Sequence, residues 1–206
     1  MADKITLSLI KRFKKDIQNE DWEKFYSNLY AVRVGKIPGP DITGSNIGEV
    51  TQVLYEAGLI GKILTSMDHI PPLMFMETKI DLNIVIPSNI LQVRNEAFEK
   101  SSFKKILFNE GCQLIGPECF YGCKADGISL PESLSVISKR AFLFCNNLTH
   151  VRIPPNVTFI GENCFERCNN LKEIEVPETL RDLINKNRFD EAKRIVSPNV
   201  KIIYYS

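Results

Sequence analysis

Six cysteines are the residues of this 206-residue chain with the most obvious chemical potential. Two pairs stand at C-x-x-x-C spacing, Cys119 with Cys123 and Cys164 with Cys168. Thiolates at such spacing bind zinc when four of them meet in one tetrahedral site. These two pairs lie far apart along the chain and do not easily close one site. The spacing alone therefore does not predict a metal centre.

The two histidines, His69 and His150, are candidates for acid–base chemistry, yet neither belongs to an H-E-x-x-H zinc motif. We predict His150 at a solvated surface turn, and His69, beside Asp68, in a structural position. The sequence contains neither a G-x-S-x-G nucleophile elbow nor a G-x-x-x-x-G-K-S/T phosphate loop. A cysteine nucleophile would need a partnering base. We therefore predict that the chain is not an enzyme and holds no cofactor or metal.

A basic cluster lies in the first predicted helix and consists of Lys11, Arg12, Lys14 and Lys15. Such a cluster most often forms a solvated helix face. The net charge of the chain is only +1, so a broad basic face for nucleic acid is not predicted. The alternative function is a regulatory factor that contacts nucleic acid through this helix, and its binding would weaken steeply with salt.

A repeat of 22 or 23 residues organises the middle of the chain. Five phenylalanines recur at this interval: Phe75, Phe98, Phe120, Phe142 and Phe165. A β-branched aliphatic residue stands five positions before each of them: Ile70, Val93, Ile115, Ile137 and Ile160. Self-similarity at a fixed period indicates a solenoid, in which each unit buries its apolar face against its neighbours. Solenoids offer long regular surfaces, so binding is the function that this pattern favours.

Most of the cysteines fall on columns of this repeat. One column holds Cys123, Cys145 and Cys168, and another holds Cys119 and Cys164. Adjacent members of a column lie about 5 Å apart in stacked strands, so a disulfide between units is sterically conceivable. Small buried side chains suit such columns. We predict that all six cysteines, including Cys112, are reduced packing residues without metal, and redox or metal chemistry is the alternative.

The repeat unit that begins at Val151 follows the pattern I-x-I/L-P-x-x-V/L-x-x-I-x-x-x-A/C-F-x-x-C-x-x-L. This pattern resembles the BspA-type leucine-rich repeat over residues 70–177. Asn109 replaces the proline of the pattern and Ser101 its cysteine, while Lys124-Ala125-Asp126 lacks the turn leucine. The resemblance implies a protein-interaction scaffold of a family found in bacterial, protist and large-phage proteins. It permits a role as a phage- or parasite-encoded factor that binds and modulates a host protein.

The predicted fold class is α+β. An N-terminal helical domain precedes a leucine-rich-repeat solenoid of one strand per 22–23 residues, and a C-terminal helix-strand cap follows. The three regions are residues 1–69, 70–177 and 178–206. Apolar residues at helical spacing fill the first region, where Gly58 ends a third predicted helix. In the last region, a helix is predicted from Glu178 to Arg194 and a strand from Ser197 to Tyr205, which together seal the open edge.

One outward residue per predicted strand forms an exposed ladder: Val85, Leu107, Ser129, Arg152 and Glu175. The ladder is apolar in its first half and charged in its second. Exposed apolar patches on soluble proteins tend to be interfaces, so the ladder is the predicted site for a protein partner. Two other interpretations stay open: the helical domain folds over Val85 and Leu107, or that domain is itself the effector.

The remaining expectations concern the environment of the chain. No apolar run approaches the ~20 residues that a membrane span needs, and the first residues lack the apolar core of a signal peptide. We therefore expect a cytoplasmic protein that does not enter a membrane. The identity of the protein partner and the oligomeric state are left open.

Overall fold

The computed structural model describes residues 58–187 and 192–206, together with the single positions 15, 16, 19, 24, 55 and 190. Most of the predicted helical domain, residues 1–69, lies outside this described part, and so do Lys11, Arg12 and Lys14. None of the helices in the described part has the length and hydropathy that a membrane span requires.

The described chain winds into a solenoid whose successive turns pair as parallel strands. One sheet has five two-residue strands: β1 (His69–Ile70), β3 (Gln92–Val93), β5 (Leu114–Ile115), β7 (Val136–Ile137) and β9 (Phe159–Ile160). A second sheet has three strands: β2 (Lys79–Ile86), β4 (Ser102–Phe108) and β6 (Gly127–Ser129). A third sheet also has three: β8 (His150–Arg152), β10 (Glu173–Pro177) and β11 (Lys201–Tyr205). Sequence analysis predicts one strand per unit and misses the five-stranded sheet, because two residues are too few to show an alternation.

The expectation of one continuous ladder of strands is wrong between β6 and β8. The sheet divides there into two three-stranded parts. Ala125 stands where Leu148 and Leu171 stand in the next two turns, and Gly127 brings no side chain to the sheet. A glycine inside a strand weakens it, because it packs nothing and loses more backbone entropy. The break therefore falls where the repeat departs most from its pattern.

The predicted phenylalanine column is confirmed. All five rings are at most 1% exposed. Neighbouring rings stack with centroid separations of 4.7, 5.0, 5.0 and 4.9 Å and interplanar angles between 4° and 17°. The first unit of the repeat, which contains Ile70 and Phe75, follows the pattern least closely. Both residues are nevertheless fully buried, so this unit is a true turn of the solenoid. The column is the centre of the core.

Two residues with left-handed backbone flank the phenylalanine of each turn. In the fourth turn these are Arg140, with φ 55°, and Phe144, with φ 62°. The equivalent residues in the other turns also have positive φ: Leu73, Glu77, Glu96, Lys100, Glu118, Gly122, Asn163 and Arg167. For a residue other than glycine, this conformation costs roughly 1–2 kcal/mol. Because this conformational free energy is lost in every turn, a stabilising interaction must also recur in every turn.

Backbone hydrogen bonds between turns supply that compensation. The N–H of Arg140 donates to the carbonyl of Glu162 at 2.9 Å, and the N–H of Phe142 donates to Cys164 at 2.9 Å. The N–H of Phe144 donates in the same direction to Glu166 at 3.1 Å. The two residues of positive φ stand four positions apart on either side of the phenylalanine, and three N–H donors spaced two residues apart point to the next turn along the solenoid axis. Equivalent bonds join every pair of adjacent turns from the first to the fifth.

A short helix, α1 (Leu59–Thr65), packs against the first turn. It follows Gly58, whose φ of 67° makes a sharp turn after the helical position Tyr55. The buried side chains of Ile60, Ile63 and Leu64 face the core. The predicted helix that ends at Gly58 lies mostly outside the described residues, and sequence analysis does not predict α1 after it.

At the C-terminal end, a 3₁₀ turn (Glu178–Leu180) leads into α2 (Arg181–Asn187). The helix is shorter than the predicted Glu178–Arg194, and residues 192 and 193 form a turn. The chain must leave the helix in order to lie against the fifth turn. There, Phe165 donates its N–H to Ile195 at 2.7 Å, and Asn163 donates to Arg194 at 2.7 Å.

A buried ion pair fixes this C-terminal segment. The guanidinium of Arg194 donates twice to the Glu166 carboxylate, at 2.5 and 2.7 Å. The two side chains are only 16% and 9% exposed. These contacts place the segment on the last turn, and its role as a sealing cap stays a prediction.

Truncation of Phe142 to alanine should lower the free energy of unfolding by ~3–5 kcal/mol, because it opens a cavity inside the stacked column. Phe144→Ala is the matched control: it removes the same ring two residues away, where the side chain is half-exposed. Its cost should be ~1 kcal/mol or less. Both values are measured by urea denaturation followed by circular dichroism. Equal losses for the two variants would contradict the column assignment.

Candidate interaction surface

Strand pairing places the five predicted ladder residues side by side in two runs. Val85 lies opposite Leu107, and Leu107 lies opposite Ser129. Arg152 lies opposite Glu175, which in turn lies opposite Ile203 of β11. Ile203 is therefore a sixth member that sequence analysis missed. The sequence gives little signal for it, because β11 reads Lys-Ile-Ile-Tyr-Tyr and lacks the polar–apolar alternation of β10. We call these six residues the ladder surface.

The apolar end of the ladder surface lies beside α1. Val85 is 49% exposed, and Leu82 is 56% exposed because the pairing of β2 shifts register between Ile80 and Asn83. A cavity of about 390 Å³ lies between α1 and β2, and its lining includes Tyr55, Ile60, Leu64, Ile84 and Val85. The rest of the predicted helical domain lies outside the described residues, so its packing over Val85 and Leu107 stays a prediction.

The charged end of the ladder surface centres on Arg152. Its guanidinium lies 2.8 Å from a carboxylate oxygen of Glu132 and 3.7 Å from one of Glu175. It also lies over the ring of Tyr205, 4.7 Å from the centroid, at the distance of a cation–π contact. Three groups from three separate turns therefore hold one exposed arginine in place.

His150 joins the same network from the neighbouring row. Its Nδ1 lies 3.3 Å from Glu173 and its Nε2 lies 3.4 Å from Glu175. Lys201 approaches Glu173 at 3.5 Å. The prediction that His150 is solvated is confirmed by its exposure, but the two glutamates are partners that sequence analysis did not assign.

The network orders the surface more than it stabilises the fold. The side chains of Arg152, Glu132 and Glu173 are 45%, 52% and 37% exposed. Exposed ion pairs contribute only about 0–1 kcal/mol each. Tyr205 is better sheltered: its hydroxyl donates to the carbonyl of Ile153, and burial raises its pKa. It therefore stays protonated and anchors the edge strand beneath Arg152.

The other predicted site, the basic first helix, is described at one position only. Lys15 is helical and exposed, while Lys11, Arg12 and Lys14 lie outside the described residues. The basic cluster as a binding site stays a prediction.

All six cysteines are buried thiols within the core. The thiols of Cys145 and Cys168 donate to the carbonyls of Phe120 and Phe142, each at 3.0 Å. Burial raises the pKa of the Cys112 thiol to about 11, and for the same reason it raises the pKa of the thiols of Cys119, Cys123, Cys145 and Cys164. In the described part of the chain, no three His, Cys, Asp or Glu side chains gather as a metal site would require.

The family of the chain follows from its repeat. A family model described as a BspA type leucine-rich repeat region, in six copies, matches residues 68–195. The chain belongs to the BspA-type leucine-rich repeat family. The matched region reaches beyond residues 70–177 at both ends and includes the segment that carries Arg194. No curated protein matches the chain.

Solved structures with a similar fold come from bacteria. A leucine rich cell surface protein of Faecalibacterium prausnitzii A2-165 has a TM-score of 0.50 and 18% identity, over 60% of this chain and 32% of that one. A leucine-rich repeat protein of Bacteroides ovatus ATCC 8483 has a TM-score of 0.42 and 20% identity, over 68% and 46%. The T. pallidum leucine rich repeat protein has a TM-score of 0.42 and 19% identity, over 63% and 71%. At these identities the likeness shows the fold alone, and the BspA-type chain spans less than half of the first two.

The cysteines of this BspA-type protein should be inert while it is folded. With a pKa of about 11, Cys112 is ionised in only about one molecule in a thousand at pH 8. Titration with a disulfide reagent under native conditions should therefore be slow, and six thiols should react at once after denaturation without reductant. A thiol that reacts rapidly in the folded protein, or fewer than six after denaturation, would contradict this assignment.

Proposed function

We propose that the chain is a protein-binding module and that the ladder surface is its binding site. The observation that carries the proposal is the in-register pairing within each of the two three-stranded sheets, which aligns the outward side chains of neighbouring strands. Members of that row change from apolar, at Val85 and Leu107, to charged, at Arg152 and Glu175. Membership of a leucine-rich repeat family supports a binding role, and the proposal assigns no catalytic step.

The residue types at the two ends of the ladder surface indicate what kind of partner segment each end can bind. Val85, Leu82 and the adjacent cavity suit one or two apolar side chains as an anchor. The other end presents Arg152 between carboxylates, which suits a polar segment with both an acceptor and a donor. Because three neighbours already hold Arg152 in place, binding costs little further side-chain entropy there. Arginines in such positions are frequent hot spots of interfaces.

A narrower form of the proposal makes the chain a phage- or parasite-encoded factor and its partner a host protein. This form rests on the family resemblance alone. The alternative of nucleic-acid binding through the first helix is not favoured, since the net charge of the chain is only +1 and a broad basic face is not predicted.

The test begins with capture of a partner from native cells by the intact chain, followed by affinity measurement with the purified partner. Arg152→Ala should weaken binding by ~1–2 kcal/mol, as expected for an arginine near the centre of an interface. Its melting temperature should stay close to that of the wild type, because the side chain is exposed and supports little of the core. Calorimetric titration and thermal denaturation measure the two effects.

A double charge change sharpens the test. Leu107→Asp with Arg152→Glu should abolish binding, whereas Leu143→Asp with Arg167→Glu makes the same changes on another side of the solenoid and should leave it intact. If both double variants bind as the wild type does, the ladder surface is not the interface and the helical N-terminal region is the next candidate. Affinity that falls steeply with salt would instead favour nucleic acid.

A further inference from the structure

The ladder surface is interrupted at its centre. β6 and β8 are the strands of consecutive turns, yet no strand pairing joins them in the described chain. The corner after the column cysteine has four residues before Ile128, 124–127, but five before Val151, 146–150. The opposite change of length separates the first and second turns, where the pairing of β2 with β4 shifts register. A one-residue change of length thus forms a bulge at one boundary and breaks the pairing at the other.

The break exposes part of the core. Ile128 and Leu130 are inward residues of the third turn, and both are partly exposed. Their equivalents in the fourth turn, Val151 and Ile153, are 3% and 0% exposed. We call the space between residues 128–130 and residues 150–152 the strand gap. Its floor is apolar, because Ile128 and Leu130 form it.

Unpaired main-chain groups form the rim of the strand gap. In the fourth turn, Ile153 donates its N–H to the carbonyl of Glu175 at 2.9 Å. Leu130 stands at the equivalent position, and it makes no such bond to Arg152 within the part of the chain that the structure describes. Neighbouring residues of a strand direct their main-chain groups to opposite edges, so Arg152 directs its N–H and C=O to the gap. The carbonyl of Ile128 faces the gap from the other side. The rim therefore offers both donors and acceptors.

Hydrogen bonds at both ends hold the strand gap in shape. At one end, the Asn147 side chain donates to the carbonyl of Lys124 at 2.9 Å and to the carboxylate of Asp126 at 3.1 Å. At the other end, the Asn156 side chain donates to the carbonyl of Glu132 at 2.8 Å. The gap is therefore formed before a ligand arrives, and a preformed site loses little entropy on binding.

The charges on the β8 side of the strand gap already have partners. Arg152 pairs with Glu132 and Glu175, and His150 lies between Glu173 and Glu175. A charged ligand group would gain little from this balanced network. A neutral group that both donates and accepts hydrogen bonds fits the rim better. Among side chains, the carboxamide of glutamine or asparagine has one carbonyl acceptor and two N–H donors.

We propose that the strand gap binds a carboxamide side chain of the protein partner. Its methylene stem lies on Ile128 and Leu130. Its NH₂ donates to the carbonyl of Ile128, and its C=O accepts from the N–H of Leu130 or Arg152. The side chain thus replaces the bonds that β6 and β8 do not make. This inference rests on the proposed function, because it names the partner group that the centre of the ladder surface recognises.

Hydrogen exchange of the intact chain tests the gap itself. The N–H of Leu130 should exchange at least about tenfold faster than the N–H of Ile153, because only the second is hydrogen-bonded. The two residues are a matched pair, since each precedes a proline. NMR of the chain in D₂O measures both rates. Equal protection of the two amides would overturn the proposal, because the strands would then be joined in solution.

A displayed library of random linear peptides, selected on the intact chain, tests the ligand. The selected peptides should share a glutamine or asparagine, and its replacement by leucine should weaken binding by at least about tenfold, because the rim is then left unpaired. Gly127→Val should weaken binding by a similar factor, since it places a side chain at the rim. A methyl group added to Gly127 would meet only the Lys105 side chain, at 4.0 Å, so the variant should fold. Lys105→Val is the control on the paired strand β4 and should bind as the wild type does.

The outcomes separate this inference from the proposed function. A selection that yields no peptide with a required carboxamide overturns the inference, and so does unchanged binding to Gly127→Val. If Gly127→Val binds normally while the double variant of Leu107→Asp with Arg152→Glu does not, the ladder surface stands and the strand gap is excluded. If both variants bind the peptides as the wild type does, the inference and the ladder surface fail together.

Discussion

Hydrogen bonds that run along the solenoid axis are the interaction on which the rest of this structure depends. They come from a backbone in which a residue of positive φ stands two positions before and two positions after each phenylalanine, as Arg140 and Phe144 do around Phe142. These bonds set one spacing between all turns. The ring stack, with separations of 4.7–5.0 Å, follows from that spacing and from the shape of the side chains. The backbone hydrogen bonds and the packing of the rings thus require the same separation between neighbouring turns, and both are satisfied together.

The same spacing determines what the surface can offer. Equivalent positions of successive turns form a straight row on the surface. The changes of residue type along such a row therefore determine what the row can bind. One row changes once, from apolar at Val85 to charged at Arg152.

Sequence analysis predicts the features that repeat as buried columns, and it misses those that do not. The phenylalanines and the cysteines are predictable, because a buried position restricts residue type in every turn. The left-handed positions are not, since ordinary residues such as Glu118 and Phe144 occupy them and only one of ten is a glycine. The pair of Glu166 and Arg194 joins residues 28 positions apart and outside the period. The contact of Glu132 with Arg152 likewise comes from a turn residue that belongs to no strand.

Different interactions hold the two ends of the described solenoid. At the first turn, the Asn89 side chain donates neutral hydrogen bonds to the carbonyls of Leu64 and Met67, at 2.7 and 2.5 Å. At the last turn, Glu166 and Arg194 form a charged pair shielded from water. Each turn contacts only its neighbours, so unfolding that starts at an end spreads inward turn by turn. Loss of either member of the pair would leave the other charge buried and unpaired at the end of the stack, so amide protons of the fifth turn would then exchange faster with solvent.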